Sequence, residues 1–593
     1  MPPRERILVD CKDVEHPAAR VRSTAIATWL AIAALPAVAC QPDPGERDGA
    51  AEPGDGLDNA AFRDRAVAFV REVAAGDSDV PCTLPRTAAQ PLHVAVSMYD
   101  RGAVVGRGTA AADELCVALR DATLRALAAS GPARSRLAEA RFAVELTDYE
   151  YSLVEHEGQG VELASGLVPV RVLDRAMLRR RIDEGKAYLL RVMDPELGGV
   201  HKYYHAPTDG FEDRLHTIYT ASTLYTLLAI YARDHDESLR QPIERAAGFL
   251  LSMQRVAPDQ PGHGAFHYSL DLGRQEREPR FVVGTASKSI FTLIDLHALT
   301  GDAAYLDAAR LAADWLLTMQ GPEGRVASEL RLDAHGAWSV TDGESMLYSG
   351  QVLSALSRLY EATGEEPYLD AAARTAGRLT ARVASEGCYL GDDYRAPNPI
   401  SSSWVILSLF DFARASDDAT IRRTVFDCAD ELLAQQIDDP ADVYRHGRWQ
   451  ASLSSSGNGW LAEVLSELYL DCPGGDLDGC ARYRGAVVLL FRLLMQYTYF
   501  PENSFVARDP DTARGGLFWN TRERYVRTDS VCHAMNAYVF MVDRLPDGVL
   551  VELPEPPLAE RLGALGRAGR LAGLADEEAD GGSEEEDEPA IVE

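Results

Sequence analysis

A short apolar phrase, LLxxQ, recurs along this chain and constrains its fold more than any other sequence feature. It is spelled LLSMQ, LLTMQ and LLAQQ in its clearest copies. Six copies can be aligned, the fourth degenerate, at 188–193, 250–254, 316–320, 377–387, 432–436 and 493–496. A Gly-rich aromatic segment follows each copy, and then a second stretch with helical spacing. A repeat of this kind usually determines the architecture of the whole domain.

Each copy predicts a helical hairpin with a long connection at one end and a short one at the other. Short polar turns such as TGDAAYLDAA lead from one hairpin into the next. Six hairpins of this form predict a mainly α fold, an (α/α)6 toroid with an inner and an outer ring, over residues 174–550. In this interpretation the LL pair packs the outer helix onto the ring, and the Gln anchors the start of the following loop.

This layout resembles the six-hairpin glycosidases, the uronyl hydrolases and the sugar epimerases. The phrase LLxxQ followed by GG is also similar to phrases in terpenoid cyclases and protein prenyltransferases. The resemblance implies a toroid, but these families share the architecture and differ in their reactions, so it does not select an activity.

The preceding residues, 57–173, have a mixed texture that predicts a small α+β domain. PLHVAVSMYD and ARFAVELTDYEYSLVE alternate as strands do, and ELCVALRDATLRALAAS has helical spacing. The region resembles the domain called AmmeMemoRadiSam system protein A. That family has G-C-I-G where this chain has Gly106-Arg107-Gly108. The resemblance implies a compact α+β fold and no particular reaction.

The two ends of the chain predict export and disorder. Arg22 precedes the apolar run AIATWLAIAALPAVA, which ends at Cys40, so residues 1–40 resemble a lipoprotein signal peptide with Cys40 lipidated. Cleavage after Ala39 to release a soluble exported protein is the alternative. Residues 41–56 read as a disordered tether. A helical extension is expected at 551–575, followed by a disordered tail, 576–593, with ten acidic residues.

Charge restricts the partners. The formal net charge is −32, which argues against binding nucleic acid or anionic lipid through charge. We therefore expect membrane contact only through a lipid anchor, in the bacterial cell envelope. Disulfides are compatible with export: Cys472 and Cys480 could close a short loop, and Cys82 and Cys116 could pair.

Aromatic residues concentrate in the long connections and at the starts of the inner helices. Flat rings with apolar faces suit stacking on sugar C–H surfaces, although they could also simply plug the toroid mouth. The predicted substrate-binding residues are Tyr204, Tyr268, Trp338, Tyr394, Trp404, Trp449, Trp460, Trp519 and Arg527.

Ionisable residues occupy the same connections, and glycan chemistry needs a proton donor and a base facing each other. The candidate catalytic residues are Asp213, His216, Asp342, Asp529 and His533. A structural alternative exists, because Thr341 and Glu344 match a capping box and Asp529 suits a helix N-cap. Cys532-His533 resembles the zinc ligands of lanthionine cyclases. Cys388 is too distant in sequence to complete that set, so neither a metal nor another cofactor is predicted.

These patterns predict an exported enzyme that acts on a polysaccharide or oligosaccharide by hydrolysis, elimination or epimerisation. Two alternatives remain open. One is an envelope scaffold that binds a glycan or protein without turning it over, and the other is a toroid like those of the terpenoid or lanthionine cyclases. The sequence does not indicate an oligomeric state.

Overall fold

The computed structural model describes residues 60–553 with gaps. The gaps are 77–79, 85–91, 101–102, 113, 132–136, 139, 148–169, 207, 334, 342, 441–442, 444, 451–453, 472–479, 501–506 and 521–523. The predicted signal peptide and its Cys40, the tether, the acidic tail and nearly all of the C-terminal extension therefore lie outside the described residues. Within the described part, no helix is both long and apolar enough to cross a membrane.

The first part of the described chain is a small α+β unit with its own apolar core. Its elements are α1 (Ala60–Ala75), β1 (Leu92–Asp100), β2 (Ala103–Ala112), α2 (Leu115–Ala129) and β3 (Arg141–Thr147). The strands form an antiparallel sheet in the order β2-β1-β3. Val96 and Met98 alternate inward from β1 and pack with residues of both helices. The predicted pairing of Cys82 with Cys116 is confirmed and ties the segment before the sheet to α2.

The rest of the chain is dominated by helices, with short strands in the connections. In chain order the elements are β4 (Val172–Asp174), α3 (Arg175–Arg191), β5 (Tyr203–His205), β6 (Gly210–Phe211), β7 (Arg214–His216), α4 (Thr217–Asp234), α5 (Arg240–Ser252), β8 (Ser269–Asp271), β9 (Glu276–Arg277), β10 (Arg280–Val282), α6 (Val283–Thr300), α7 (Ala303–Thr318), β11 (Glu329–Leu332), β12 (Trp338–Val340), α8 (Met346–Thr363), α9 (Glu366–Glu386), α10 (Pro399–Ser416), α11 (Ala419–Leu433), α12 (Ser455–Leu470), α13 (Ala481–Tyr497), α14 (Pro510–Ala513), β13 (Tyr525–Arg527), α15 (Thr528–Met541) and β14 (Val549–Glu552).

Twelve of these helices form two rings. The inner helices α4, α6, α8, α10, α12 and α15 contact one another in sequence, and α15 returns to α4 to close the ring. The outer helices are α3, α5, α7, α9, α11 and α13. Each packs on the inner ring, and β14 pairs with β4 to join the two ends of the domain. The predicted (α/α)6 toroid is confirmed.

The LL pair behaves as the sequence predicted. The first leucine of each clear copy, at Leu250, Leu316 and Leu432, is buried, and the second is half-buried. Because the two residues lie about 100° apart around a helix, one points into the ring and the other to its edge. This packing attaches the last turn of the outer helix to the inner ring.

The glutamine of the phrase joins the long connection to the next outer helix. Gln254 Nε2 donates to the carbonyl oxygen of Gly264 at 3.0 Å and to that of Ala308, on α7, at 2.9 Å. Gln436 makes the equivalent bonds to Gly447 and to Ala486 on α13. The hypothesis that the glutamine anchors the loop is confirmed, and the structure adds the second bond, to the next hairpin.

Glycines complete these joints by allowing the loop backbone to lie directly on a helix backbone. The glycines that contact the next outer helix in this way, all with positive φ, are Gly198, Gly264, Gly324, Gly447 and Gly515. At Gly264 φ is +92°, and an added Cβ would overlap the carbonyl oxygen of Leu311 on α7. Only glycine combines this backbone conformation with this approach.

The degenerate fourth copy has neither the glutamine nor the closely packed glycine. Cys388, in the connection after α9, instead forms a disulfide with Cys428 on α11, the next outer helix. The sequence analysis did not anticipate this pairing. A covalent bond therefore makes the connection that a closely packed glycine makes in the other five copies, where Gln254 and Gln436 add hydrogen bonds. Cys480 is also disulfide-bonded, and its predicted partner, Cys472, lies outside the described residues.

We predict that Gly264→Ala destabilises the toroid strongly, whereas Gly248→Ala does not. At Gly264 the substitution forces strain or displacement, which should lower the free energy of unfolding by about 2–4 kcal/mol. Gly248 lies on the exposed face of α5 with open space around it, so alanine there should be neutral or stabilise by up to about 1 kcal/mol. Thermal melts monitored by circular dichroism test this, and equal melting temperatures for the two variants would contradict the proposed joint.

Candidate functional site

The long connections all lie at one end of the toroid, where the six inner helices begin. Small antiparallel sheets, such as β13-β5-β6 and β10-β11-β12, link connections of neighbouring hairpins around this mouth. Inside it is a cavity of about 70 Å³. Every inner helix contributes to its lining, which consists of Ile218, Tyr219, Ser222, Tyr268, Val282, Thr285, Lys288, Leu347, Tyr348, Gln351, Ile400, Trp404, Ser456, Gly457, Trp460, Arg527, Asp529 and His533.

Two tryptophans form an aromatic wall of the cavity. Trp404 on α10 stacks on Trp460 on α12, with ring centroids 3.8 Å apart and planes 15° apart. Trp460 Nε1 donates to Ser403 Oγ at 2.9 Å, which fixes the ring in its plane. Indole rings held in this way offer a rigid apolar surface of the kind on which a sugar ring packs.

A histidine held by a buried carboxylate lies beside this wall. His533 Nδ1 donates to Glu463 Oε2 at 2.6 Å, and the second oxygen of Glu463 accepts from Asn536 Nδ2 at 3.0 Å. Burial raises the pKa of Glu463, but the hydrogen bond and charge of His533 outweigh it, and the pKa is lowered overall. A carboxylate in this position fixes the tautomer and the orientation of the imidazole, while Nε2 remains available for the cavity.

An arginine and an aspartate form a second polar group in the lining. Arg527 binds Asp529 through two hydrogen bonds, of 2.7 and 2.6 Å, and Ser456 Oγ donates to Asp529 at 3.0 Å. The guanidinium also lies over the ring of Trp519, 4.2 Å from its centroid. The carboxylate of Asp529 is therefore already engaged in a charge-assisted, bidentate pair.

The two capping roles considered from the sequence are wrong. The N-cap of α15 is Arg527, and the side chain of Asp529 makes no cap hydrogen bond. The N-cap of α8 is Ser345. Glu344 instead binds Arg378 through two hydrogen bonds, of 2.9 and 2.6 Å. These acids are held by side-chain cations, which sequence spacing alone does not reveal.

The remaining candidate catalytic residues do not line the cavity. Asp213 is exposed on a connection, where its backbone carbonyl accepts from Leu272 N. His216 is buried behind the lining, edge-on to Tyr219 and Tyr268, and its Nε2 lies 3.2 Å from Glu212 Oε2. Asp342 lies outside the described residues.

The predicted aromatic residues divide between the cavity and its surroundings. Tyr268, Trp404 and Trp460 line the cavity, and Trp519 lies behind Arg527. The others serve packing. Trp449 is fully buried beside the joint at Gln436, Tyr204 is buried with its hydroxyl on Asp209, Trp338 stacks on Phe281, and Tyr394 packs against Gly343.

Sequence reasoning missed the polar residues that the inner helices direct into the lumen. Lys288 and Gln351 line the cavity, and Glu463 lies behind the lining, bound to His533. A signal was present, because Trp460, Glu463 and Glu467 are spaced three and four residues apart along one face of an otherwise apolar helix. These residues lie on helices, whereas the predicted ionisable residues lie in the connections and at helix starts.

Below the cavity the lumen contains a charged cluster. Arg358 Nε donates to Asp411 Oδ2 at 2.8 Å, and its Nη2 to Glu467 Oε2 at 3.4 Å. Asp295 on α6 lies in the electrostatic field of Arg358 and Lys288, but burial raises its pKa to about 6. This cluster joins α8, α10 and α12 inside the ring.

The described residues give no support for the zinc alternative. Cys388 is consumed by its disulfide with Cys428, so it cannot act as a thiolate ligand beside Cys532 and His533. Cys532 is buried, and burial raises the pKa of its thiol to about 12. Nowhere in the described ranges do three or more His, Cys, Asp or Glu residues form a group that could hold a metal ion.

Comparison with known proteins yields structural neighbours but no sequence relatives. No family model matches the chain, and no curated protein does. Cellobiose 2-epimerase from Bacillus thermoamylovorans B4167 is similar at 15% identity and a TM-score of 0.48, over 63% of this chain and 99% of that one. A sugar epimerase from a ruminal bacterium is similar at 12% identity and a TM-score of 0.49, over 63% of this chain and 100% of that one. Unsaturated glucuronyl hydrolase from Bacillus sp. GL1 is similar at 14% identity and a TM-score of 0.46, over 64% of this chain and 100% of that one.

We predict that Asp295→Asn changes how stability depends on pH. With a pKa of about 6 in the folded state and about 3.9 when unfolded, wild-type Asp295 loses its proton first in the unfolded chain. The free energy of unfolding therefore falls as pH rises from about 4 to about 6, and asparagine removes this loss. Because Asp295 keeps some accessible surface, we expect a gain on the order of 1–2 kcal/mol at pH 7.

Melting temperatures measured across this pH range provide the test. Asp236→Asn is a matched control with the opposite sign, because hydrogen bonds from Ser238 and Lys186 lower the pKa of Asp236 to about 2. That variant should lose stability at pH 7. If Asp295→Asn also lowers the melting temperature at pH 7, the assignment of a raised pKa is wrong.

Proposed function

We propose that the toroid mouth is the active site of an enzyme that acts on a glycan, and that His533 transfers a proton in the reaction. The observation that carries the proposal is the geometry of His533. Its Nδ1 is fixed on the buried Glu463, and its ring lies 5.1 Å from that of Trp460 in the cavity. The fold hosts several chemistries, so the argument for the reaction rests on these side chains.

Proton transfer at carbon fits this arrangement better than hydrolysis by two carboxylates. A glycosidase needs two acids free to face the glycosidic bond. Asp529 is the one carboxylate among the described residues that line the cavity, and Arg527 already binds it through two hydrogen bonds. A histidine backed by a carboxylate, in contrast, is suited to take up and return a proton near neutral pH.

The proposed step starts with a sugar packed on Trp404 and Trp460. Nε2 of His533 removes the proton from a carbon next to a carbonyl or carboxyl group, and the electron pair of the C–H bond moves into an enolate. Glu463 stabilises the resulting imidazolium. If solvent protonates the opposite face and His533 releases its proton to solvent, the product is an epimer. If His533 returns the proton to the neighbouring carbon and a proton moves between the two oxygen atoms, the product is an isomer. Loss of a β-substituent would give an unsaturated product instead.

We predict that His533→Asn abolishes exchange of a sugar C–H proton with solvent. The wild-type protein, incubated in D2O with a panel of aldoses, reducing disaccharides and uronates, should exchange one C–H position, seen by NMR. Removing the base should lower this rate by about 100-fold or more. His235→Asn is the control, because His235 is exposed at the far end of α4 in a left-handed conformation that asparagine tolerates.

Two results would contradict the proposal. One is exchange that persists in His533→Asn. The other is wild-type protein that binds members of the panel but exchanges none, which would favour a binding scaffold. Glu463→Gln keeps the side-chain volume and should also slow exchange, because a neutral amide stabilises the imidazolium less than a carboxylate does.

We also propose that the protein is exported and anchored by a lipid on Cys40. The apolar run before Cys40 supports this, as do the disulfides Cys82–Cys116 and Cys388–Cys428, since disulfides persist mainly in oxidising compartments. In the native host, Cys40→Ala should move the protein from the membrane fraction to the soluble one and end its labelling by palmitate analogues. Continued labelling of the variant would rule out this anchor.

A further inference from the structure

Among the described residues, one cation in the cavity has no hydrogen-bonded or ion-paired partner. Lys288 lies in the second turn of α6, lines the cavity and is only 6% exposed. Across the described part of the chain, its ammonium group forms neither an ion pair nor a hydrogen bond. Its contacts are with aromatic faces, at 4.8 Å from the ring centroid of Tyr225 and 5.6 Å from that of Phe291.

The acids around Lys288 are engaged elsewhere. Glu463 is bound by His533 and Asn536, and Asp529 is bound by Arg527. Asp295, two turns further along α6, influences Lys288 only through its field. Burying an ammonium group is expensive unless it is paired, and contacts with aromatic faces recover only about 1–2 kcal/mol.

Other buried cations nearby are paired, which makes Lys288 an exception. Arg280 donates to Glu329 at 2.6 Å, Arg358 to Asp411 at 2.8 Å, and Arg527 binds Asp529. A fold that pairs these arginines and leaves one buried lysine unpaired at its cavity has kept a cation available there.

The helices add a second, independent source of positive potential at the same place. All six inner helices begin at the mouth, so the positive ends of their dipoles converge on the cavity. Four of them, α4, α6, α8 and α15, have no side-chain cap hydrogen bond. In a chain of net charge −32, this makes the mouth a local region that attracts negative charge.

We propose that Lys288 receives a carboxylate of the ligand, so that the substrate is an acidic sugar such as a uronic acid. This inference rests on the proposed function in treating the mouth as a sugar site. One ammonium group matches the single charge of a carboxylate, whereas a phosphate dianion would usually recruit several cations. The arginine proposed from the sequence for this task, Arg527, is already committed to Asp529.

The first test is equilibrium binding of sodium D-glucuronate, D-glucose and D-glucose 6-phosphate to the full-length protein, followed by NMR titration. We expect glucuronate to bind about tenfold more tightly than glucose, the effect of one hydrogen-bonded ion pair. Lys288→Met, which keeps the apolar stem, should abolish this preference for glucuronate over glucose. Lys288→Arg should retain much of it. Lys186→Met, which removes a lysine paired with Asp236 on the outer ring, should change nothing.

The second test separates a ligand role from a structural one. Without ligand, Lys288→Met should raise the melting temperature, because it removes a buried charge that has no partner. A lower melting temperature, or a preference for glucuronate that survives Lys288→Met, overturns the inference. Equal binding of glucuronate and glucose by the wild type also overturns it. If glucose 6-phosphate binds more tightly than glucuronate and Lys288→Met loses this binding, the ligand group at Lys288 is a phosphate and not a carboxylate.

These outcomes are distinguishable from failure of the proposed function. Glucuronate binding that depends on Lys288, without any C–H exchange, would support the inference and refute catalysis by His533. C–H exchange on neutral sugars that Lys288→Met does not affect would support catalysis by His533 and refute the inference about Lys288.

Discussion

The structure depends on the way each long connection is fastened to the following hairpin. A side-chain amide, as in Gln254, donates to a loop carbonyl and to a carbonyl of the next outer helix. A glycine beside it, as in Gly264, lets the two backbones touch. Buried carbonyl groups need partners, so the amide satisfies two of them while it sets the spacing of the outer helices. Repetition of the glycine contact around the ring adds to apolar packing and to polar contacts between inner helices such as Arg358–Asp411.

The joints also determine where the candidate site lies. They hold the connections over the starts of the inner helices, so first-turn residues such as Tyr219, Ser456 and Asp529 face a common cavity. Residues about one turn deeper, such as Lys288, Gln351 and His533, also line it. Because inner and outer helices are fixed before any ligand binds, His533 and Glu463 meet on neighbouring helices with little freedom to separate, a requirement for acid–base catalysis at a defined atom.

The sequence predicted the architecture because the LLxxQ phrase reflects how the end of an outer helix packs on the inner ring. Each copy of the phrase marks one such contact. The sequence predicted about a third of the lining residues for a similar reason, since Trp404, Trp460, Arg527, Asp529 and His533 stand at helix starts after long loops. It could not separate Trp449 from Trp460, because both follow Gly-rich segments, and only the ring geometry sends one into a joint and the other into the cavity. Glu463 and Lys288 lie on inner helices, so patterns in the loops could not indicate them. Because the inner helices surround a lumen, polar side chains on their otherwise apolar faces contribute to the site.

The disulfide Cys388–Cys428 gives one sector of the ring a different dependence on its surroundings. Five joints assemble whenever the chain folds, whereas this one is completed only when two thiols are oxidised. In a reducing medium the toroid would thus be a closed ring with one weak seam, between α9 and α11. The wall bearing Trp404 stands at that seam, because α10 lies between those two helices along the chain. The redox state of the compartment would then set how firmly the aromatic face of the cavity is held. The compartment in which the protein matures would thereby affect how rigidly its site is positioned.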